Sequence, residues 1–381
     1  MMHIRSLAVF LVIILAAAEA RAERQELIYH GGLPKPGIKC NFCHSMTYGV
    51  PGTANLAAER SELCLICHSE KGRGDILDKP VLKKERMQRY VAKTDINSEL
   101  EKLFGHPILN TSALHSRREE LPEKDPQATR HVACVDCHDH HQITSRNRFG
   151  PVKVTGAAGE SKKLKDVRDM IPGEEVSDFE LCFNCHGDSA NLPLNQTNKR
   201  VEFSINNPSY HPVVGEGKNT VVPSLKSPYA AMKKRSSDIS VIKCGDCHGN
   251  NDEKGPKGPH GSIYPAILVR NYSINDGHPE SSFQYALCYM CHERDSILRN
   301  DSFKYHAVHI QGNPNTGSLG TSCYTCHNSH GSIDNKFLIS FNKDVVFTNV
   351  SSGQLRFDST GTFSGECYLT CHNVNHNPRR Y

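Results

Sequence analysis

Apolar residues are spread thinly along this chain, and one stretch stands out: residues 7–18 are continuously apolar and follow Arg5. That run is shorter than a bilayer span. With Ala20 and Ala22 bracketing Arg21, it predicts a secretory signal peptide over residues 1–22 and a mature chain starting near Glu23. No later segment is apolar enough to cross a membrane. Elsewhere the periodic signals are short. Ser98 and Glu101 make a capping-box pattern for a brief helix that Gly105 would stop, and residues 82–92 read as another helical stretch. Residues 341–363 alternate as a β-hairpin would, with turns at residues 351–353 and at Gly361. Residues 255–259 and 312–317 are dense in Gly and Pro and read as loops. The pattern predicts a mostly irregular fold with short α-helices and little β-structure.

Composition sharpens this. The chain has 28 Gly, 20 Pro, no Trp and only 7% aromatic residues, with a mean hydropathy of -0.51. Such a chain is poorly equipped to bury a large side-chain core, so something else must fill its interior. The cysteines supply the candidate. All sixteen fall in pairs followed by histidine: Cys40/Cys43-His44, Cys64/Cys67-His68, Cys134/Cys137-His138, Cys182/Cys185-His186, Cys244/Cys247-His248, Cys288/Cys291-His292, Cys323/Cys326-His327 and Cys367/Cys371-His372. Numbered 1 to 8 in chain order, the first seven have two residues between the cysteines and the eighth has three. This is the pattern for covalent attachment of haem c, in which both thiols become thioethers and the adjacent His becomes the proximal iron ligand. Redox dithiols and zinc half-sites do not require that His, and a disulfide framework would leave cysteines outside the pattern. The expected cofactors are eight haem c groups, each motif on a helical turn so that both sulfurs and the His face one porphyrin. Without haem the chain should be largely unfolded.

Charge changes meaning once the cofactors are counted. The formal net charge of +4 falls to about -5 for the mature oxidised protein and about -13 when reduced, because every haem carries two propionates. The apparent basicity therefore gives no support to nucleic-acid binding. Lys162, Lys163 and Lys165, like Lys233, Lys234 and Arg235, read as solvated charge or propionate partners.

The motifs recur as a unit. His106-Pro107 and His211-Pro212 precede sites 3 and 5, while His141, His260 and His330 follow sites 3, 5 and 7, the last two within His-Gly-Ser. This arrangement resembles the doubled CXXCH family of multihaem, here octahaem, c-type cytochromes of metal-reducing and respiratory bacteria. The resemblance covers nearly the whole mature chain, most strongly residues 104–372. It implies a multihaem cytochrome c fold organised around eight stacked haems: one elongated domain, residues 23–381, built of haem-pair units at about 23–95, 96–200, 201–300 and 301–381.

Each iron also needs a second axial ligand. The expected distal set is His30, His106, His141, His211, His260, His278, His309 and His330. His278-Pro279 is included because the first pair has no His after its first motif. His115, His131, His140, His306 and His376 are alternates, and the choices between His306 and His309 and between His140 and His141 stay open. An iron closed by two histidines has no position for substrate. The expected role is electron carriage in anaerobic or extracellular respiration, with no catalytic residue. The chain would serve as a periplasmic or secreted carrier, a conduit component or a filament subunit. Its partners would be other cytochromes or extracellular acceptors, with no nucleic acid and no membrane span after signal cleavage. The rival is an octahaem redox enzyme of the nitrite reductase or hydroxylamine oxidoreductase type. Such an enzyme keeps one iron open or gives it an unusual proximal ligand such as Lys; here every motif ends in His.

Overall fold

A Cys-x-x-Cys pair sets its sulfurs three residues apart, which is one helical turn, and most attachment sites fold accordingly. The computed structural model describes residues 43–44, 60–69, 95–109, 122–164 and 177–381, apart from residues 126, 142, 144–147, 151, 190, 194–195, 314 and 316. The signal segment, His30, Cys40, the 82–92 stretch and His115 lie outside the described residues. Helix α1 (Arg60–Leu65) carries Cys64. Helix α2 (Asn97–Leu100) is followed by α3 (Cys134–Cys137) and α4 (Phe179–His186), and α5 (Lys199–Glu202) by α6 (Cys244–Cys247). Site 6 occupies a 3-10 turn, Cys288–Met290. Helices α7 (Arg294–Leu298) and α8 (His306–Gln311) then lead to α9 (Cys323–Cys326). At sites 2, 3, 5, 6 and 7 the His backbone N–H donates to the first cysteine's carbonyl at 2.8–3.0 Å, closing the turn.

Carboxylates lock three of these turns. Asp136 and Asp246 accept from the backbone N–H of Ala133 and Lys243 at 2.7 and 2.8 Å. Site 7 has Thr325 at that position and borrows its carboxylate from a distant loop. Asp276 Oδ1 accepts from the Ser322 N–H at 2.7 Å and from the Thr325 hydroxyl at 2.5 Å.

Strands are short until the end of the chain: β1 (Phe104–Gly105), β2 (Lys153–Thr155), β3 (Ser161–Lys163), β4 (Ser209–Tyr210), β5 (Gly261–Ser262) and β6 (Gly331–Ser332). Two of the pairings repeat the unit seen in the sequence. Antiparallel β1·β5 sets His106 beside His260, and antiparallel β4·β6 sets His211 beside His330, whose carbonyl accepts from the His211 N–H at 2.9 Å. The glycine of each His-Gly-Ser is required by close packing. A Cβ at Gly261 would fall inside the Glu99 carbonyl oxygen at the end of α2, and one at Gly331 inside the Glu202 carbonyl oxygen of α5. Both obstacles are backbone and cannot swing away. Gly331→Ala is therefore expected to destabilise the protein by roughly 1–3 kcal/mol, read as a lower thermal midpoint at unchanged haem content.

The chain ends in a four-stranded antiparallel sheet of β7 (Val346–Phe347), β8 (Arg356–Gly361), β9 (Ser364–Cys371) and β10 (Val374–Arg380), with β9 paired to the other three. The expected 341–363 hairpin is thus part of a larger sheet. Site 8 lies on β9 and not on a helical turn, which corrects the expectation for that motif. Its cysteines are four residues apart, an even number, so a strand puts them on one face. Side-chain cores are small: Phe179, Phe183, Phe203 and Val213 form one, and Tyr285, Tyr289 and Ile310 another. Among the described residues no helix is long and apolar enough to cross a membrane.

Candidate metal centres

The histidine rings meet in pairs at one recurring distance. His44 faces His141 at 6.3 Å between ring centres, His138 faces His260 at 6.4 Å, and His248 faces His330 at 6.2 Å. His186 faces His106 at 6.3 Å, His292 faces His211 at 6.5 Å, and His327 faces His306 at 6.5 Å. A seventh pair, His309 and His376, also stands at 6.5 Å. A metal–imidazole bond is about 2 Å and a ring nitrogen lies about 1.1 Å from its ring centre, so two imidazoles on one iron have centres about 6.3 Å apart. The residues therefore fit haem iron: six of the seven pairs join a motif histidine to a distant one with room for one metal between them.

Ring orientation selects the atom that would face the metal. Nδ1 of His138, His248 and His327 lies 2.7, 2.8 and 3.0 Å from the carbonyls of Arg148, Ala266 and Phe337. Nδ1 of His106 and His309 lies 2.9 and 2.8 Å from the carbonyls of Pro259 and Tyr305, and that of His211 meets the Ser329 carbonyl. A carbonyl only accepts, so each Nδ1 carries the proton and Nε2 keeps the lone pair a metal needs. Burial reinforces this by disfavouring the cation. It pushes His186, His260 and His292 down to about 4 and His306 to about 3, so these rings are neutral at neutral pH. His330 instead turns Nδ1 to the Glu202 carboxylate at 3.2 Å.

The ring planes fall into two classes. Sites 1, 3 and 5 have nearly parallel rings, at 9°, 17° and 13°. Sites 4 and 6 are tilted at 57° and 44°, site 7 at 40°.

The cysteines run through the fold in chain order. The thiols of Cys64 and Cys134, Cys182 and Cys244, and Cys288 and Cys323 hydrogen-bond in pairs, linking sites 2 to 3, 4 to 5 and 6 to 7. Between these links, Cys67 is raised by the nearby Cys43 after burial; Cys137 likewise by Cys182 and Cys185, Cys247 by Cys291 and Cys288, and Cys326 by Cys371 and Cys367. Each site thus neighbours the next, and two kinds of contact alternate.

Of the expected distal histidines, His106, His141, His211, His260 and His330 stand opposite motif rings, while His309 stands opposite His376. His278 is exposed on its loop and no described histidine ring is paired with it. His306 occupies the place opposite His327. It sits one turn before His309 on α8, so both can face one side and serve neighbouring sites. His140 packs on His141 at 4.0 Å, and Asp139 completes a small polar cluster with them. His131 is buried, with Nδ1 2.7 Å from Glu123 Oε1. The pairings follow a rule that the sequence repeat contains: the His before a unit's first motif serves that unit's second site, and the His after that motif serves the previous unit's first site. Site 7 departs from the rule: His306, from its own unit, stands opposite His327.

Residues 165–337 match the family described as outer membrane cytochrome MtrC/MtrF-like, domains II/IV. The matched segment holds sites 4 to 7 and supports a multihaem cytochrome of the electron-transfer kind. No curated protein and no solved structure matches the chain.

Proposed function

We propose that this chain is an exported octahaem c-type cytochrome that conducts electrons along sites 1 to 8 in sequence order. All sixteen cysteines form thioethers, and His44, His68, His138, His186, His248, His292 and His327 are the proximal ligands. His141, His106, His260, His211, His330 and His306 are the distal ligands of sites 1, 3–7 in the pairs given above, and the repeat rule assigns His30 to site 2. Bound haem supplies one-electron redox chemistry. The protein's own part is to close both axial positions, which leaves no site for substrate, and to hold neighbouring sites in contact. The recurring 6.2–6.5 Å ring spacing carries this reading.

The outer membrane description of the matched family supports a position at the cell surface or in the periplasm, with other cytochromes or extracellular acceptors as partners. His306 supports a self-sufficient carrier or conduit component over a filament subunit that borrows ligands, because site 7 finds its second His within the chain. A carbon monoxide titration of the dithionite-reduced protein tests the carrier against the redox enzyme: no haem should shift, and a shift at one haem would sink the pure-carrier reading.

A further inference from the structure

The distal ring of site 5 is held differently from its counterparts. Nδ1 of His106 and His211 faces a backbone carbonyl. Nδ1 of His330 meets a carboxylate oxygen, Glu202 Oε2, at 3.2 Å. That carboxylate is built in. Glu202 is the last residue of α5, and its side chain is nearly buried. Oε1 accepts from the Thr197 hydroxyl at 2.7 Å and from Asn328 Nδ2 at 2.9 Å; Oε2 accepts from Lys199 Nζ at 2.8 Å as well as from His330. The Asn328 side chain also accepts from the His330 backbone N–H at 2.9 Å, so one amide sets both the acid and the ring. Burial alone would raise the Glu202 carboxyl, yet the hydrogen bonds from His330 and Lys199 hold it well below the usual carboxylate range, and it is an anion at neutral pH.

The preceding unit supplies an internal comparison. Glu99 stands near the end of α2 as Glu202 does in α5: the carbonyl of each packs on the glycine of a His-Gly-Ser. The Glu99 carboxylate pairs with Lys102, however, and His260 Nδ1 is buried without a hydrogen-bond partner. Ring spacing and plane are otherwise matched, at 6.4 Å and 17° for site 3 and 6.2 Å and 13° for site 5. What separates the two distal rings is a carboxylate on the Nδ1–H.

We propose, resting on the cytochrome reading above, that Glu202 is a positioning residue that acts through His330 to lower the reduction potential of the site 5 iron below that of site 3. A carboxylate on the outer N–H of a metal-bound imidazole orients the ring and makes it a stronger donor. A stronger donor and a nearby anion both favour ferric over ferrous iron, because reduction removes one positive charge from the site. Lys199, on the same carboxylate, offsets part of that field. The step is one electron taken up from a neighbouring site, with no bond formed or broken and the proton kept on Nδ1. In the proposed order site 5 lies between the two halves of the row, so Glu202 governs the crossing between them.

The test uses full-length holoprotein matured with haem, as wild type, Glu202→Gln, Lys199→Met and, for comparison, Glu99→Gln. Readouts are haem count by intact mass, the individual potentials from a spectroelectrochemical titration and electron paramagnetic resonance of the oxidised protein. His260→Met and His330→Met mark which potentials belong to sites 3 and 5, since Met/His ligation raises the one it touches. Glu202→Gln keeps an acceptor for the Nδ1–H and removes the charge. It is expected to raise the site 5 potential by about 59 mV, a tenfold change in that iron's reduction constant, and to shift one low-spin signal. Lys199→Met leaves the carboxylate uncompensated and is expected to lower the same potential; it decides the matter should Glu202→Gln lose its haem. Glu99→Gln is expected to leave the potentials where they are. An unmoved site 5 potential in Glu202→Gln, an equal rise at site 3 in Glu99→Gln, or a wild-type site 5 potential above that of site 3 overturns the proposal. A wild-type mass without haem overturns the cytochrome reading itself and is distinguishable from these.

Discussion

A His260→Ala chain is expected to bind about one carbon monoxide per reduced molecule where the parent binds none, with seven of eight irons left low-spin. The ring removed is buried and neutral, pushed down to about 4 by burial and by the neighbouring His138. Its opposite, His138, stays put because its Nδ1 is held 2.7 Å from the Arg148 carbonyl. The change should therefore empty one axial position without freeing the haem. The neighbouring His106 is committed through its Nδ1 to Pro259 and stands opposite His186. Loss of a strong axial field also raises the potential of that one iron and interrupts the proposed sequence of sites. Electron transfer between the two ends should slow by far more than one part in eight. Stopped-flow reduction with a donor confined to one end, compared with a His278→Ala control, checks this. Equal rates in the two variants would show that conduction does not pass through site 3 in series.

The largest effect of all is expected from withholding haem. Chain expressed without the haem-attachment machinery should show no cooperative thermal transition and a circular dichroism spectrum of largely unordered backbone. The matured protein should melt as a unit. The side-chain cores explain why: among the described residues one cluster rests on Phe179, Phe183, Phe203 and Val213 and another on Tyr285, Tyr289 and Ile310. At about 25 cal/mol per Å² of apolar surface removed from water, cores of this size cannot offset the entropy of ordering a chain this long. Several buried imidazoles, with Nδ1 of His260, His306 and His376 unpartnered, add cost unless a metal takes the ring. A cooperative melt of the haem-free chain would contradict the idea that the cofactors supply the core.

Much of this was legible in the residues. Cys-x-x-Cys-His is a local code, since three-residue spacing and one helical turn are the same statement, and the short helices α3, α6 and α9 follow from it. The distal histidines were legible as a set because His106, His211, His260 and His330 repeat in context. Their partners were not, because ligation runs between units and no local signal says which ring crosses to which site. The β1·β5 and β4·β6 bridges, two residues per strand, carry that information and are too short to leave a periodic pattern. His278 drew attention through its resemblance to His106-Pro107 and His211-Pro212, yet it lies on an exposed loop. His306 stayed an alternate to His309 because neither the repeat nor any local context separates the two. Site 8 was hard for a different reason. A spacing of four puts both cysteines on one side of a strand as well as of a helix, and the sheet that decides the matter is assembled from four strands over residues 346–380.

The crossing of His141, His260 and His330 back to sites 1, 3 and 5 has a consequence in time. A chain exported N-terminus first presents the first haem of each unit before the histidine that closes its iron has emerged. On the proposed ligation those irons would wait for their second histidine, open to small ligands, until the following unit arrives. Sites 4 and 6 would have no such wait, since His106 and His211 precede them. A chain stopped early would thus be left with an exposed iron at its last odd site, a chemically conspicuous mark of incompleteness. His306, placed ahead of site 7, would spare that site the wait.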